Sequence, residues 1–214
     1  MGAAWLSALL AFLWLTSDAR SDVDAGAPPS SQLVTYGSVI KLQHASTKFR
    51  LHSHEVPYGS GSGQQSVTAF PHVNDGNSYW IVKPGPQSEA QQGDGVAEGS
   101  IVRLQHMRTR RWLHSHLHQS PLTGNLEVSA FGSPDVSDTG DTWRLEIEGK
   151  EKTWTKDLKV RLYHMDTGGY LHSSHDNKYT RIVAGQLEVC GVQKKSADNV
   201  WLAAEGIYLP RRTK

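Results

Sequence analysis

The sequence predicts an all-β protein built from three copies of one unit. A 15-residue segment recurs at residues 40–54, 102–116 and 160–174. In each copy one histidine is followed eight residues later by a second histidine, which lies within a Leu-His-Ser motif. A tryptophan begins the last segment of each unit, at Trp80, Trp143 and Trp201. Self-similarity at a nearly constant period indicates one supersecondary unit repeated around a shared core.

Composition is typical of an ordinary soluble globular protein. The chain has 214 residues, a charged fraction of 20% and a formal net charge of +1. A charge this close to zero gives no overall field that would attract nucleic acid or an anionic membrane. The single cysteine, Cys190, excludes an internal disulfide.

The N-terminus has the pattern of a secretory signal peptide. Residues 3–15 are almost continuously apolar, but this run is shorter than the roughly 20 residues that a membrane-spanning helix needs. Small-residue cleavage patterns end at Ala19 and Ala27. We predict a signal peptide over residues 1–19, with cleavage as late as residue 27, and a flexible lead-in over residues 20–32. No other stretch is apolar enough to span a membrane, and the short tail at residues 210–214 is not a KDEL-type retention signal.

Each unit is predicted to contain four short strands. In the first strand of unit 1, Ile40, Leu42 and His44 alternate with polar residues, and this period of two is typical of a strand with one buried face. The second strand contains the Leu-His-Ser motif, the third begins at a Gly-amide-x-x-Val segment, and the fourth begins at the tryptophan. We predict one domain over residues 33–209, with units at about residues 33–87, 96–150 and 151–207.

Three-fold closure of twelve strands resembles a β-trefoil, which is a six-stranded barrel capped by three hairpins. Strand number and period favour this fold but leave open a small propeller or two stacked sheets. The three tryptophans would then occupy equivalent core positions. The lysine-rich segment at residues 149–159 also contains acidic residues and is predicted to be a solvated turn.

The repeated histidines are predicted to be structural, to hydrogen-bond hairpin backbones and to fill the barrel end. Two units contain a His-x-His pair whose rings face the same side of a strand. The third unit has Ser174 at the second position, so a three-fold metal ring is not expected. We predict neither a metal nor a cofactor. The histidines given this structural role are His44, His52, His106, His114, His164 and His172.

No catalytic residue is predicted. Cys190 lies in a strand context at the position held by Ser129 and Thr68 in the other units, which indicates a small packed residue. Ser53 and Ser115 neighbour histidines, but adjacent residues of a strand point to opposite faces and do not form a dyad. The Gly-rich loop at residues 58–63 lacks the lysine and the following helix of a phosphate-binding loop.

Several segments are long enough to be specific for a family. They include Leu-His-Ser-His at residues 51–54, Asn-Ser-Tyr-Trp at residues 77–80, Glu-Val-Ser-Ala-Phe-Gly at residues 127–132 and Ala-Glu-Gly-Ile at residues 204–207. These segments resemble the MIR motif, which protein O-mannosyltransferases also contain, and within it the stromal cell-derived factor 2-like proteins. Residues 104–107 and 111–117 look most similar to plant members.

The resemblance implies a β-trefoil of three MIR units that is not an enzyme and that resides in the lumen of the endoplasmic reticulum. It also implies association with a luminal J-domain cochaperone and the luminal chaperone BiP. Plant members further imply links to the unfolded protein response and to biogenesis of surface receptors, including immune receptors. Without a KDEL-type signal, retention would depend on a partner.

Two binding hypotheses follow. A cochaperone subunit needs a protein-binding face, for which we consider the loop containing Tyr58, Gly59 and Gly61, which we expect to be exposed. The basic turn that precedes Trp112 is a second candidate, and it contains Arg108, Arg110 and Arg111. A lectin-like module for mannosylated chains needs an exposed aromatic ring, which Trp112 or Tyr170 could provide. Packing within a hairpin is the alternative role for both rings, and a purely structural luminal protein also stays open.

Overall fold

The computed structural model describes Met1 and residues 32–213. The predicted signal peptide after Met1 and the predicted lead-in before Gln32 lie outside the described residues. Within the described part, no helix combines the length and the apolar character needed to cross a membrane.

Each unit contains four strands, and a single 3₁₀ turn precedes the fourth. The strands of the first unit are β1 (Val39–His44), β2 (Arg50–Pro57), β3 (Gln65–Phe70) and β4 (Trp80–Pro84). Those of the second are β5 (Ile101–His106), β6 (Trp112–Gln119), β7 (Leu126–Phe131) and β8 (Trp143–Ile147). Those of the third are β9 (Lys159–His164), β10 (Tyr170–Lys178), β11 (Leu187–Val192) and β12 (Trp201–Ile207). The 3₁₀ turns, which the sequence did not predict, are Gly76–Ser78, Thr139–Asp141 and Ala197–Asn199.

Six of these strands close into a barrel. The antiparallel pairings run from β1 to β4, β5, β8, β9 and β12, and β12 pairs with β1 again. The other six strands form three hairpins, β2–β3, β6–β7 and β10–β11. Strands β3, β7 and β11 also pair with one another in a cycle. The β-trefoil prediction is therefore confirmed, and the propeller and stacked-sheet alternatives are wrong because the ring of strands closes.

The core is formed by residues at equivalent positions of the three units. Trp80, Trp143 and Trp201 have no exposed surface, as the repeat pattern predicts. Each indole N–H donates a 2.9 Å hydrogen bond to the carbonyl of the leucine in the Leu-His-Ser motif of its own unit, so these three buried indole donors are all paired. These acceptors are Leu51, Leu113 and Leu171.

A second three-fold arrangement lies before the first strand of each unit, at the barrel end opposite the hairpins. The backbone N–H of Val34 donates to Trp154, that of Trp154 to Val96, and that of Val96 to Val34, at 2.9, 2.8 and 3.1 Å. Trp154 is fully buried. The prediction of a solvated turn at residues 149–159 is therefore wrong for the middle of the segment, where Trp154 lies. It holds for Lys150 and Lys152, which are exposed.

The turn after each first histidine requires a left-handed residue at the same position. Lys48 and Arg110 have φ values of 64° and 61°, and Gly168 occupies the position in the third unit with φ of 72°. A left-handed backbone is unfavourable for residues that carry a Cβ. Only the third unit therefore has the residue that this turn prefers.

Candidate functional site

The first histidine of each repeat joins neighbouring units. Its Nε2 donates to a backbone carbonyl in the 3₁₀ turn of the preceding unit, and its Nδ1 lies 2.9 Å from a threonine hydroxyl in its own turn. Burial lowers the pKa of all three rings, which favours the neutral form. Both nitrogens are occupied, so these rings are not free to bind a metal. The Nε2 contacts are His44 to Asp198 at 3.0 Å, His106 to Asn77 at 2.9 Å and His164 to Gly140 at 2.8 Å, and the hydroxyls belong to Thr47, Thr109 and Thr167.

The second histidine of each repeat is held by the segment before the tryptophan of its own unit. Nδ1 of His52 lies 2.7 Å from a carboxylate oxygen of Asp75. His114 makes the same contact with Asp141 at 3.0 Å. In the third unit an amide replaces the carboxylate, and Nδ2 of Asn199 lies 3.2 Å from Nδ1 of His172. These contacts fix the hairpin against the 3₁₀ turn and support the predicted structural role.

His114, Asp138 and Asp141 bring three possible metal ligands within 4.8 Å of one another. Asp141 is fully buried, and its two oxygens already accept hydrogen bonds from His114 and from the backbone N–H of Asp138. Asp138 and Asp141 also form the cap of the 3₁₀ turn. The cluster is therefore accounted for by local folding.

The possible nucleophiles are also engaged in the scaffold. Cys190 is buried, and burial together with the charge of Glu188 raises the pKa of its thiol to about 12. A thiol this reluctant to ionise is a poor nucleophile at neutral pH. The hydroxyls of Ser53 and Ser115 donate to backbone carbonyls at 2.7 and 2.9 Å, as expected for side chains that face away from the neighbouring histidines.

The Gly-rich loop after β2 is only partly exposed. Gly59 and Gly61 are exposed, as expected, but Tyr58 is 8% exposed. The Tyr58 hydroxyl lies 2.9 Å from the carbonyl oxygens of Val67 and Val128, so it joins the first and second units. The expectation that Tyr58 is an accessible contact residue is therefore wrong. Its ring is large and apolar, and burying it between two strands is the more stable arrangement.

The basic turn before β6 is exposed. Arg108, Arg110 and Arg111 all have exposed side chains, and Met107 beside them is 48% exposed. Arg108 makes a 3.3 Å hydrogen bond to the amide oxygen of Asn77. Three guanidinium groups and an apolar side chain on one turn form a surface that can contact a protein, and a binding role for it stays a prediction.

Trp112 is not available for sugar stacking. It is 4% exposed, and its indole N–H donates a 2.8 Å hydrogen bond to the carbonyl of Ser133. The guanidinium of Arg103 lies 4.5 Å from the ring centroid and covers one face. The stacking role of Trp112 is therefore wrong, and packing within the hairpin is correct.

Tyr170, at the equivalent position of the third unit, is half-buried. Its ring centroid lies 5.1 Å from that of Tyr163, and the amine of Lys195 lies 5.6 Å from it. Its hydroxyl is 3.4 Å from both oxygens of Glu146. Burial alone would raise the pKa of Glu146, but Lys195 and Arg144 outweigh it and hold that pKa below its usual value. Tyr170 thus belongs to a partly exposed group of aromatic and charged side chains, and its binding role is untested.

Two buried carboxylates join consecutive units, and we call these contacts carboxylate bridges. In the first bridge, Glu127 accepts hydrogen bonds from the backbone N–H and hydroxyl of Ser62 and from His116. Burial alone would raise the pKa of Glu127, but these hydrogen bonds hold it below its usual value. In the second bridge, Glu188 accepts from the backbone N–H of Leu122 at 2.7 Å and from the hydroxyl of Thr123 at 2.6 Å.

The amide of each Gly-amide-x-x-Val segment also crosses to the next unit. Gln64 accepts from the hydroxyl of Ser129 at 2.5 Å, and the Asn125 amide lies 3.6 Å from the sulfur of Cys190. Gln186 accepts from the hydroxyl of Thr68 and so closes the cycle. All three junctions therefore keep the amide contact.

A cavity of about 530 Å³ contains none of the predicted site residues. Tyr36, Pro86, Ile101, Thr142 and Met165 are among its lining residues. No histidine, carboxylate or cysteine lines it.

Residues 52–203 match the MIR domain family. A stromal cell-derived factor 2-like protein of Arabidopsis thaliana is 62% identical over 94% of this chain and 94% of its own length. The chain belongs to the stromal cell-derived factor 2-like family of MIR-domain proteins. A human relative, stromal cell-derived factor 2-like protein 1, is 40% identical over 97% of this chain and 91% of its own length. Neither the matching family model nor the names of these relatives indicate an enzyme family.

Solved structures agree with this assignment. The crystal structure of the Arabidopsis relative has a TM-score of 0.83 and 67% identity, and it covers 85% of this chain and 99% of that chain. A protein O-mannosyltransferase complex of S. cerevisiae bound to its sugar donor has a TM-score of 0.75 and 32% identity. That match covers 91% of this chain but 29% of the mannosyltransferase chain. The three MIR units therefore resemble only a minor part of that enzyme.

Sequence reasoning missed the carboxylates that join the MIR units. Glu127 and Glu188 are charged residues between apolar neighbours in strands, and their side chains are buried, with 0% and 1% exposure. The signal was present, because units 2 and 3 both have Leu-Glu-Val after the amide, whereas unit 1 has Gln-Ser-Val. A charged residue repeated within a buried strand indicates a partner supplied by the fold.

Proposed function

We propose that this MIR-domain protein is a non-enzymatic component of the endoplasmic reticulum lumen that acts in protein folding and quality control. In this proposal it binds a luminal J-domain cochaperone and, with it, BiP and client proteins. The observation that carries the proposal is the 62% identity with a stromal cell-derived factor 2-like protein over 94% of both chains. The state of the reactive side chains supports it, because the repeated histidines, Ser53 and Ser115 make hydrogen bonds within the fold and Cys190 is buried.

The basic turn is the proposed contact surface for the cochaperone. Arg108, Arg110 and Arg111 are exposed, and no carboxylate of the described residues forms an ion pair with them. Charged groups at the rim of an interface steer association and add specificity. An acidic face on the cochaperone would complement this turn.

The resemblance to plant members extends the proposal to the unfolded protein response and to the biogenesis of surface receptors, including immune receptors. Under this proposal, the cochaperone also retains the protein in the lumen. Loss of the cochaperone should then increase secretion of this chain, which can be measured in the culture medium.

Affinity purification of the tagged mature chain from secretory microsomes tests the proposal, with an endoglycosidase-treated sample as the control. Recovery of a J-domain protein and BiP in fixed proportion, before and after glycan removal, would support it. Their absence from both samples would refute it.

A lectin-like module is the second candidate. The 32% identity with part of a protein O-mannosyltransferase complex favours it, as does the partly exposed group around Tyr170. The burial of Trp112 counts against an aromatic platform in the second unit. In the same purification, this candidate predicts a diverse set of mannosylated proteins that is lost after deglycosylation.

A further inference from the structure

The third junction between MIR units lacks both members of the carboxylate bridge. Position 66 of the first unit corresponds to Glu127 and Glu188, but it is a serine. Ala184 in the third unit corresponds to Ser62 and Thr123, so the hydroxyl donor is missing as well. The amide contact from Gln186 to Thr68 is still made at this junction. The side-chain amide contact is thus kept at this junction, while the acidic group and its hydroxyl donor are both absent.

Polar groups at this junction are left without partners. Ser66 is 4% exposed, and its hydroxyl makes no hydrogen bond to any described residue. The hydroxyl of Tyr179 is also buried with no partner in the described part of the chain. Unpaired buried hydroxyls are costly, and their presence together marks a place where a further polar group fits.

A cavity of about 140 Å³ opens at these groups. Ser66 and Tyr179 line it, and Arg181 adds a cation at its edge. Val56 and Pro57 provide apolar wall. This combination suits a side chain with an apolar stem and an anionic end.

The loop that borders the cavity is strained. Ile182 has φ of 60°, which is a rare conformation for a β-branched residue, and its side chain is 90% exposed. Val183 corresponds in sequence to Leu122, whose N–H donates to the carboxylate in the second bridge. Among the described residues, the N–H groups of Ile182, Val183 and Ala184 donate no backbone hydrogen bond. Strained backbone of this kind clusters at ligand-binding positions, and these N–H groups are free of backbone partners and can donate to a ligand.

We propose that this junction binds an acidic side chain of a partner protein, whose carboxylate takes the place that Glu127 and Glu188 occupy at the other two junctions. Arg181, the hydroxyls of Ser66 and Tyr179, and the loop N–H groups recognise the carboxylate. The cavity holds one side chain, so the ligand is an aspartate or glutamate within an exposed peptide segment. This site lies on different residues from the basic turn, and its existence does not depend on the proposed function.

Nuclear magnetic resonance titration of the folded chain tests this inference with two blocked tripeptides, acetyl-Gly-Glu-Gly-amide and acetyl-Gly-Gln-Gly-amide. The glutamate peptide should shift the amide resonances of Gly59, Ile182, Val183 and Ala184 in a saturable way. The glutamine peptide should bind at least about tenfold more weakly, because hydrogen bonds to a charged group are lost. No saturable shift with the glutamate peptide, or equal shifts with both peptides, would overturn the inference.

The double variant Ser66→Glu with Ala184→Thr supplies the missing bridge from within the chain. It should abolish peptide binding, since the new carboxylate occupies the site. The single variants Ser66→Ala and Arg181→Gln keep the cavity and should each weaken binding by about tenfold. They also keep the test decisive if the double variant does not fold. Undiminished binding in these two single variants would overturn the inference.

Discussion

The hydroxyl of Thr123 donates a 2.6 Å hydrogen bond to the carboxylate of Glu188 across the junction between the second and third MIR units. Glu188 is 1% exposed, and the backbone N–H of Leu122 donates to the same carboxylate. A buried charge is tolerated only when its hydrogen-bonding capacity is satisfied. This junction therefore contributes to stability through a contact that an apolar core does not provide.

Replacing Glu188 by alanine should lower the free energy of unfolding. The change removes two hydrogen bonds to a buried carboxylate, from the backbone N–H of Leu122 and the hydroxyl of Thr123, and the expected loss is about 1.5–3 kcal/mol. Urea unfolding followed by tryptophan fluorescence measures it. Glu89→Ala removes an exposed carboxylate and should change stability by less than about 0.5 kcal/mol. Equal effects of the two variants would mean that the carboxylate bridge adds nothing to the free energy of unfolding.

Acidification should destabilise the fold in the range where histidine titrates. Burial lowers the pKa of His44, His106 and His164 in the folded chain. The unfolded chain therefore takes up protons first as pH falls below about 6.5, and stability is lost by up to about 1.4 kcal/mol per pH unit for each histidine. The stability that the neutral buried histidines contribute is fully present above about pH 6.5.

Urea unfolding at pH 7.5, 6.5 and 5.5 measures this dependence, above the range in which carboxylates dominate. His164→Gln should reduce the slope of stability against pH. His118→Gln changes an exposed ring and should leave the slope as it is. A flat profile between pH 7.5 and 5.5 would contradict the neutral buried state of these histidines.

Two buried tryptophans should respond differently to replacement by phenylalanine. Trp143 donates a 2.9 Å hydrogen bond to Leu113, whereas the indole N–H of Trp154 has no acceptor in the described structure. Both rings are fully buried. Trp143→Phe should therefore cost about 1 kcal/mol more than Trp154→Phe, because only the first change removes a hydrogen bond. Thermal unfolding compares the pair, and a larger loss from Trp154→Phe would refute this reasoning.

Lys48→Gly should stabilise the first hairpin. Lys48 has φ of 64°, and the third unit already has Gly168 at the same position. Glycine relieves an unfavourable left-handed backbone, and we expect a gain of about 0.5–1 kcal/mol after its greater freedom in the unfolded state is subtracted. Lys152→Gly serves as the control because Lys152 has no positive φ. This variant should be less stable than the parent protein, since glycine only adds freedom to the unfolded state. Denaturant midpoints of the two variants should move in opposite directions.

The sequence predicted the architecture well because the repeat specifies it three times. The spacing of His44 and Trp80, which differs by one position from that in the other two units, was sufficient to place the strands and the tryptophan core. The pairing of position 52 with position 68, and its equivalents, also follows the predicted correspondence of Thr68, Ser129 and Cys190.

The three-fold arrangement of Val34, Val96 and Trp154 was not predicted, although these residues recur with the same period as the first histidines. From Val34 to Val96 is 62 positions and from Val96 to Trp154 is 58, the spacings that separate the first histidines. Lysines around Trp154 concealed it, because a charged segment is usually solvated. The local sequence pattern could not reveal that Tyr58 and Trp112 are buried. The burial of each ring depends on contacts with residues more than eight positions away in the chain.

The direct test of the central claim is a binding titration of the purified mature chain with a purified luminal J-domain cochaperone. We expect a saturable complex of fixed stoichiometry that persists after enzymatic deglycosylation. Replacing Arg108, Arg110 and Arg111 by glutamine should weaken it, whereas the same charge change at Lys150, Lys152 and Lys159, which are also exposed, should not. Absence of a complex, or a complex lost with the glycans, would contradict the cochaperone role.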